Sequence, residues 1–242
     1  MWLENPAEEI DKRGRTTRTT RNKDEGKGSP QGSPISPMLA NIYMRRFILG
    51  WKKGGVERQL QAYIVNYADD FVICCRSGAD QAMEKMRSMM SKLKLPVNEE
   101  KTRRRTLPEE SFDFLSHTFG QMFNSRTGEA YLGARPSQKA ISKLCAEISE
   151  QMDKHSTKKH EMLMIAELNR QLKGWVNYFN VGSVNRAYHA VNYHVTSRLR
   201  RWLCKKHKVR GPGYSRFPDK YLYELGLYQL RNARWGVPKA NV

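Results

Sequence analysis

The 242-residue chain is poor in acidic residues, has few cysteines and contains no long apolar run. Asp and Glu number 24 against 43 Lys and Arg, a formal charge of +19, so its partners are to be sought among polyanions. No stretch approaches the roughly 18 consecutive apolar residues of a membrane-crossing helix. Met1–Leu3 is followed by acidic and polar residues, not the apolar core of a secretory signal. The chain therefore reads as soluble and cytoplasmic, with no membrane partner. Its four cysteines, Cys74, Cys75, Cys145 and Cys204, form no C-x-x-C pair, which argues against a disulfide scaffold or a zinc knuckle. Cys204 and His207 share a helical turn, but two ligands make no site, and no zinc is expected.

What is present is unevenly distributed. Residues 1–134 hold 22 basic and 17 acidic groups (net +5), and residues 135–242 hold 21 and 7 (net +14). A scaffold or catalytic front joined to a nucleic-acid-binding back fits this asymmetry. The lead, residues 1–28, is polar and includes KRGRTTRTTR, with no sustained period from Asp11 onward, and is expected to be disordered. From Gly28, GSPQGSPISP reads as an irregular loop. It runs into a helix, MLANIYMRRFILGWKK, that Pro37 can start. Two β-prone runs, Ala62 to Tyr67 and Phe71 to Cys75, then flank Ala68, Asp69 and Asp70 as a hairpin with a carboxylate pair at its tip. Residues 79–95 space Met and Leu as a helix that Pro96 stops. VNEEKTRRRTL, FDFLSHTFGQMFN and EAYLGARP read as short strands and turns completing the sheet. After Arg135 three amphipathic helices follow, with Leu168, Leu172, Trp175, Val176 and Phe179 on one stripe and Arg170, Lys173 and Asn177 facing elsewhere. One further short helix is expected near Asp219 to Leu227.

Two adjacent carboxylates between apolar strands repel each other unless solvent, cations or metal ions offset the repulsion. Taken alone, Asp69-Asp70 reads most simply as a solvent-facing turn. Its surroundings point further: YADDFVI resembles the active-site hairpin of reverse transcriptases. SPQGSPISPMLANIY at 29–43, LPVNEEKT at 95–102 and FDFLSHTFG at 112–120 accompany it in that family's order. Residues 168–211, from LNRQLKGWVNYFN to KKHKVRG, resemble the maturase-specific thumb of group II intron-encoded reverse transcriptases, and the likeness spans about residues 28–215.

The resemblance implies an α+β fold: a partial right-hand polymerase palm, an antiparallel sheet with helices, followed by an all-helical thumb and maturase-specific domain. The expected segments are a lead at 1–28, palm at 29–134, thumb at 135–215 and a C-terminal tail at 216–242. It implies Mg²⁺ as cofactor, with Asp69 a metal ligand and Asp70 supporting the same site, and Tyr67 touching the nucleotide or primer end. Gln31 and Gly32 match the loop beside the incoming nucleotide and template; a turn is the plainer role of these residues. Lys101 is either a point charge toward the triphosphate or a surface lysine. Phe114 and Leu115 match the support of the primer strand, and Ser116 stands where the family has glycine. Arg170, Lys173, Arg198, Arg200, Arg201, Lys205, Lys206, Lys208 and Arg210 are candidates for phosphate contacts, while Trp175 and Tyr178 stack on bases or simply pack.

The family's first palm carboxylate, in a segment resembling D-I-x-x-F-F-D, has no match. The early acids Glu4, Glu8, Glu9, Asp11, Asp24 and Glu25 lack strand context, and the fingers are missing too. The palm sheet is then expected to leave an edge unpaired and apolar surface bare. Nothing after Val209 resembles the family's zinc-associated nuclease module, so no endonuclease action is expected. Three readings follow. The first is a reverse transcriptase and maturase fragment that binds structured intron RNA and assists splicing, with RNA-directed DNA polymerase (nucleotidyltransferase) chemistry only when a missing N-terminal part completes it. The second is one half of an active split polymerase, working on an RNA template and DNA primer with a separate polypeptide that supplies the fingers and first palm motif. The third is a degenerate remnant or a simple basic interaction protein.

Overall fold

In the computed structural model, which describes residues 7–10, 16–19, 34–124, 126–153 and 155–231, two compact units meet in sequence between consecutive arginines, Arg104 and Arg105. Arg104 Nη1 donates to both oxygens of Asp80 at 2.9 Å, within the first unit. Arg105 Nη1 donates to Glu110 at 2.6 Å, within the second.

The first unit begins with β1 (Ala7–Ile10) antiparallel to β2 (Thr16–Thr19), with Glu8 opposite Arg18 and Glu9 opposite Thr17. This corrects the expectation of no strand context for Glu8 and Glu9, while Glu4, Asp11, Asp24 and Glu25 lie outside the described residues; β-branched threonines dominate β2 and favour extended backbone. Helix α1 (Ser36–Lys53) starts at Pro37, ends on Lys52 and Lys53, and buries Met44, Phe47 and Trp51 along one face. The short α2 (Val56–Gln59) leads into β3 (Ala62–Tyr67), which pairs antiparallel with β4 (Asp70–Cys75). Helix α3 (Ala79–Lys92) buries Ala82, Met86 and Met90, spaced by four. These side chains, with Ala62 and Ile64, form the core of the unit. Trp51 Nε1 donates to the Ala62 carbonyl at 2.7 Å, so the one polar atom of the indole is satisfied inside that core. Helix α3 stops four residues before Pro96: Lys94 turns left-handed (φ 57°), and Leu95 N–H returns to the Met90 carbonyl at 3.0 Å. The segment after it, expected as short strands and turns, is turn without strand, because Asn98 accepts from Lys101 N–H through its side chain and from Thr102 N–H through its carbonyl.

The second unit opens with a three-stranded meander, β5 (Phe112–Phe114), β6 (His117–Phe123) and β7 (Ala130–Pro136). The sequence reading joined these strands to the YADD hairpin in one palm sheet ending at residue 134. They form a separate sheet, and they pack with the helices that follow. Three contacts explain this. Ser137 N–H donates to the Ser116 carbonyl at 2.9 Å, and the Tyr178 hydroxyl donates to the Leu115 carbonyl at 3.1 Å. Ser183 N–H donates to Ala134 at 2.8 Å beside Gly182, where a Cβ would lie 2.1 Å from the Ala134 oxygen. Helices α4 (Gln138–Gln151), α5 (Glu161–Tyr178) and α6 (Asn185–Lys206) then enclose the larger core, with a 3₁₀ turn at His155–Lys158. The expected α5 stripe is buried at Leu168, Leu172 and Phe179 and half-buried at Trp175 and Val176. Around α7 (Asp219–Glu224), Phe217 before it, Leu222 within it and Leu227 and Leu230 after it lie in this core, so residues 217–230 belong to the fold and not to a tail. Asn169 and Asn192 hold that segment through both atoms of their amides, to Gly226 and Tyr228 and to Leu230.

Candidate functional site

The acidic feature lies in the first unit. Ala68 and Asp69 form the two-residue connection between β3 and β4, and Asp70 opens β4 opposite Tyr67. Ala68 takes a positive φ of 52°, the hand that a two-residue hairpin needs at its first central position. Tyr67, Asp69 and Asp70 are thereby brought together on one exposed turn. The side chains of β3 alternate: Ala62 and Ile64 point to the core, while Tyr63, Val65 and Tyr67 are 59%, 56% and 65% exposed. Among the described residues β3 pairs with β4 as a two-stranded sheet.

Magnesium is commonly held by one or two carboxylates together with substrate phosphates, and not by an all-protein cage. Asp69 and Asp70 supply hard oxygen donors of that kind, on a turn open to solvent, and so fit such an ion. Among the described residues no group of three or more His, Cys, Asp or Glu gathers as a metal site. Gln31 and Gly32 lie outside the described residues. Lys101 is exposed in the turn that Asn98 organises. Phe114 and Leu115 belong to the second unit, where Leu115 (φ 48°) and Ser116 (φ 62°) make the β5–β6 turn. Both are left-handed without glycine, and the turn's carbonyls are held by Tyr178, Ser137 and His117 Nδ1–H (2.9 Å to Leu115).

The basic feature lies on the second unit, and burial sorts its candidates. Arg200 is 2% exposed: Nε donates to the Phe217 carbonyl at 2.8 Å, Nη2 pairs with Asp219, and the guanidinium lies 4.1 Å from the centre of the Tyr214 ring. It holds the segment before α7 against α6 and is not available to phosphate, which corrects its place among the RNA contacts. Lys206 is also engaged, donating to the carbonyls of Thr157 (3.2 Å) and Lys159 (2.7 Å) and so closing the 3₁₀ turn. Arg201, Lys205, Lys208 and Arg210 are exposed, and Arg198 is half-buried beside them. Arg170 and Lys173 are exposed on α5, with Lys173 Nζ 5.8 Å from the Tyr228 ring centre. Of the aromatic candidates, half-buried Trp175 packs against Phe179 at 4.6 Å and exposed Tyr178 secures the β5–β6 turn. The sequence reading passed over His194. Burial, and more weakly the nearby Arg198 and Arg201, hold its imidazole below the ordinary histidine range.

A family model described as reverse transcriptase (RNA-dependent DNA polymerase) matches residues 3–119, and one described as group II intron, maturase-specific domain, matches residues 141–221. A comparison with individual curated proteins finds no match. The first match covers the hairpin-bearing unit and runs on through β5 into β6, so FDFLSHTF falls in the reverse transcriptase part by sequence although its strands pack with the helices; the second covers the helices from α4 to α7. The chain belongs to the group II intron-encoded reverse transcriptase and maturase family, whose role is RNA binding and splicing. The first match begins at residue 3, so the basic lead lies within the reverse transcriptase region and not ahead of it. Among the described residues no helix is long and apolar enough to cross a membrane.

Proposed function

We propose that this chain binds structured intron RNA through the exposed cations of the second unit and assists its splicing. RNA-directed DNA polymerase chemistry at the YADD turn then follows only when a further carboxylate donor joins Asp69 and Asp70. The observation that carries the reading is the sorting of the basic residues: Arg200 and Lys206 are taken up by the fold, while Arg201, Lys205, Lys208 and Arg210 remain on the surface. Cations exposed on the surface gain by neutralising phosphates, with release of the RNA's counterions. At the turn, Asp69 and Asp70 would hold Mg²⁺. Such an ion supplies charge neutralisation at the phosphates of a nucleotide and at a primer hydroxyl. Tyr67 offers an exposed ring and hydroxyl next to the carboxylates, and Lys101 a point charge toward phosphate.

Two assays test this. Binding to a structured group II intron RNA should exceed binding to an unrelated RNA duplex at physiological salt; equal affinity for both reduces the chain to a general polyanion binder. Primer extension with Mg²⁺ on an RNA template should need an added fingers-and-palm polypeptide, and Asp69→Asn should abolish it while leaving RNA binding intact. Robust extension by the chain alone favours an independent polymerase instead.

A further inference from the structure

Arg198, Arg201, Lys205 and Lys208 step by three, four and three residues, so they share one face of α6 and its end over about 15 Å. That face borders a cavity of about 530 Å³, within the range of roughly 300–1,000 Å³ typical of small-molecule pockets. Among the described residues no acidic side chain lines the cavity. Met152, Trp202 and Val209 give it apolar walls, and the only polar atom of the Trp202 side chain already donates to Ser156 Oγ at 2.9 Å. Arg198 is anchored there by a 2.9 Å bond from Nη2 to the Ser149 carbonyl, while its Nε is buried without a hydrogen-bond partner.

The rim has a second unusual feature. Helix α6 ends in a Schellman turn, with Val209 N–H bonded to the Cys204 carbonyl at 2.9 Å and Lys208 N–H to Lys205 at 3.4 Å. The position between them ordinarily belongs to glycine, because it is left-handed, yet Lys208 occupies it at φ 53°. Lys208 thus carries backbone strain and is itself one of the residues that line the cavity.

We propose that this cavity seats a single unpaired nucleotide of a folded RNA, with the base against the apolar walls and Arg guanidinium planes and the flanking phosphates on the four cations. The proposal rests on the RNA-binding reading above and narrows it from attraction along a backbone to a discrete seat. A duplex keeps its bases stacked inside and presents only sugar and phosphate; an unpaired base can be splayed out into a recess that is apolar within and basic at the rim.

The test uses the full chain and two hairpin RNAs of equal length, one fully paired and one with a single bulged adenosine, titrated across salt concentration. The bulged RNA should bind about tenfold more tightly, within the range found when one base leaves water for a protein wall. Lys208→Gly should remove most of that preference and lower the salt slope by about 0.7, while the melting temperature stays level or rises because glycine relieves the left-handed strain. Lys94→Gly, which relieves the same strain at the end of α3 in the first unit, should match the thermal effect and leave RNA binding unchanged. Equal affinity for the two hairpins overturns the seat while the RNA-binding reading stands, and no binding to either overturns both. Loss of affinity and melting temperature together in Lys208→Gly makes Lys208 structural and overturns its part in the seat.

Discussion

Among the described residues, nine buried apolar side chains close the core of the first unit, three of them methionine, whereas nineteen close that of the second. The reverse-transcriptase turn is thus carried on the lighter frame, a two-stranded ribbon whose outer face shows Tyr63, Val65 and Tyr67 to solvent. Isolated two-stranded hairpins are marginal in water, and methionine adapts its shape more than it fixes that of its neighbours. The cations proposed to meet RNA stand instead on α6 and the turn after it, and the inner side of α6 is anchored by Leu199, Trp202 and Leu203. Charge follows the same division, with net +7 over residues 1–104 and net +12 over residues 105–242. A rigid helix fixes the spacing of its phosphate contacts in advance. A carboxylate turn on a thin ribbon gains its geometry only when further strands or a ligand cover it.

The largest expected effects lie where each core is opened. Trp51→Ala removes a fully buried indole and its bond to Ala62, and should cost about 3–5 kcal/mol. Hydrogen exchange should then lose protection over residues 36–92 while residues 138–230 keep theirs. Equal loss in both segments would erase the contrast between the units. Next in size is Gly182→Ala, which sets a methyl against the Ala134 carbonyl and forces alanine into φ 80°. A loss of about 2–3 kcal/mol in denaturant midpoint is expected, in the range of strain and overpacking. Exchange at β7 amides should rise most, since this contact joins the meander to the helices; a neutral substitution would return the sheet to the palm side of the boundary.

Neighbouring arginines sharpen the comparison within the second unit. Arg200→Ala should cost about 2 kcal/mol by leaving the Phe217 carbonyl without its donor and opening space beneath Tyr214. Arg201→Ala should stay within about 0.5 kcal/mol of the parent in stability. For RNA the order reverses: Arg201→Ala lowers the slope of log affinity against log salt by about 0.7–0.9, and Arg200→Ala leaves that slope unchanged. Salt titrations of both variants, made where each is folded, decide the matter.

Much of this was legible because it is local. The periods of Met44, Phe47 and Trp51, of Ala82, Met86 and Met90, and of Leu168 and Leu172 mark helix faces, and YADDFVI marks a turn between two apolar runs. What was not legible depends on partners distant in sequence. FDFLSHTFG reads as the next strands of the palm until Tyr178, Ser137 and Gly182 are seen holding its meander to the helices. Residues 217–230 read as a tail because the amides that dock them, Asn169 and Asn192, sit in helices whose polar positions look merely solvated. The burial of Arg200 did leave a signal, since it follows Thr196 by four and precedes Leu203 by three, on the stripe that includes buried Thr196 and Leu203. A count of cations cannot separate it from Arg201; a helical face can. The carboxylate pair is the opposite case, in which the motif named the chemistry and the fold set only the turn.

The smallest expected effect probes the second unit from inside. The Ser149 hydroxyl donates to the Cys145 carbonyl at 2.7 Å, so at 2.9 Å it accepts from His194 Nε2–H. Burial is the main reason that the folded protein disfavours the imidazolium; the Cys145 backbone opposes it in part, and Arg198 and Arg201 add to it more weakly. The sign follows from linkage: a histidine whose folded pKa lies below its unfolded value of 6.5 contributes its stability above that pH and loses it as the pH falls through the folded value. Acidification from pH 7.5 to 5 should therefore lower the denaturant midpoint of the second unit, by an amount set by at most one proton, and His194→Gln should flatten the dependence. Bound RNA brings phosphates to Arg198 and Arg201 and weakens their push on the imidazole, so the same titration with RNA present should show a higher folded pKa. The first unit, which has no histidine among residues 1–104, should show neither response, and a matching acid shift there would mean that the titrating group is not His194.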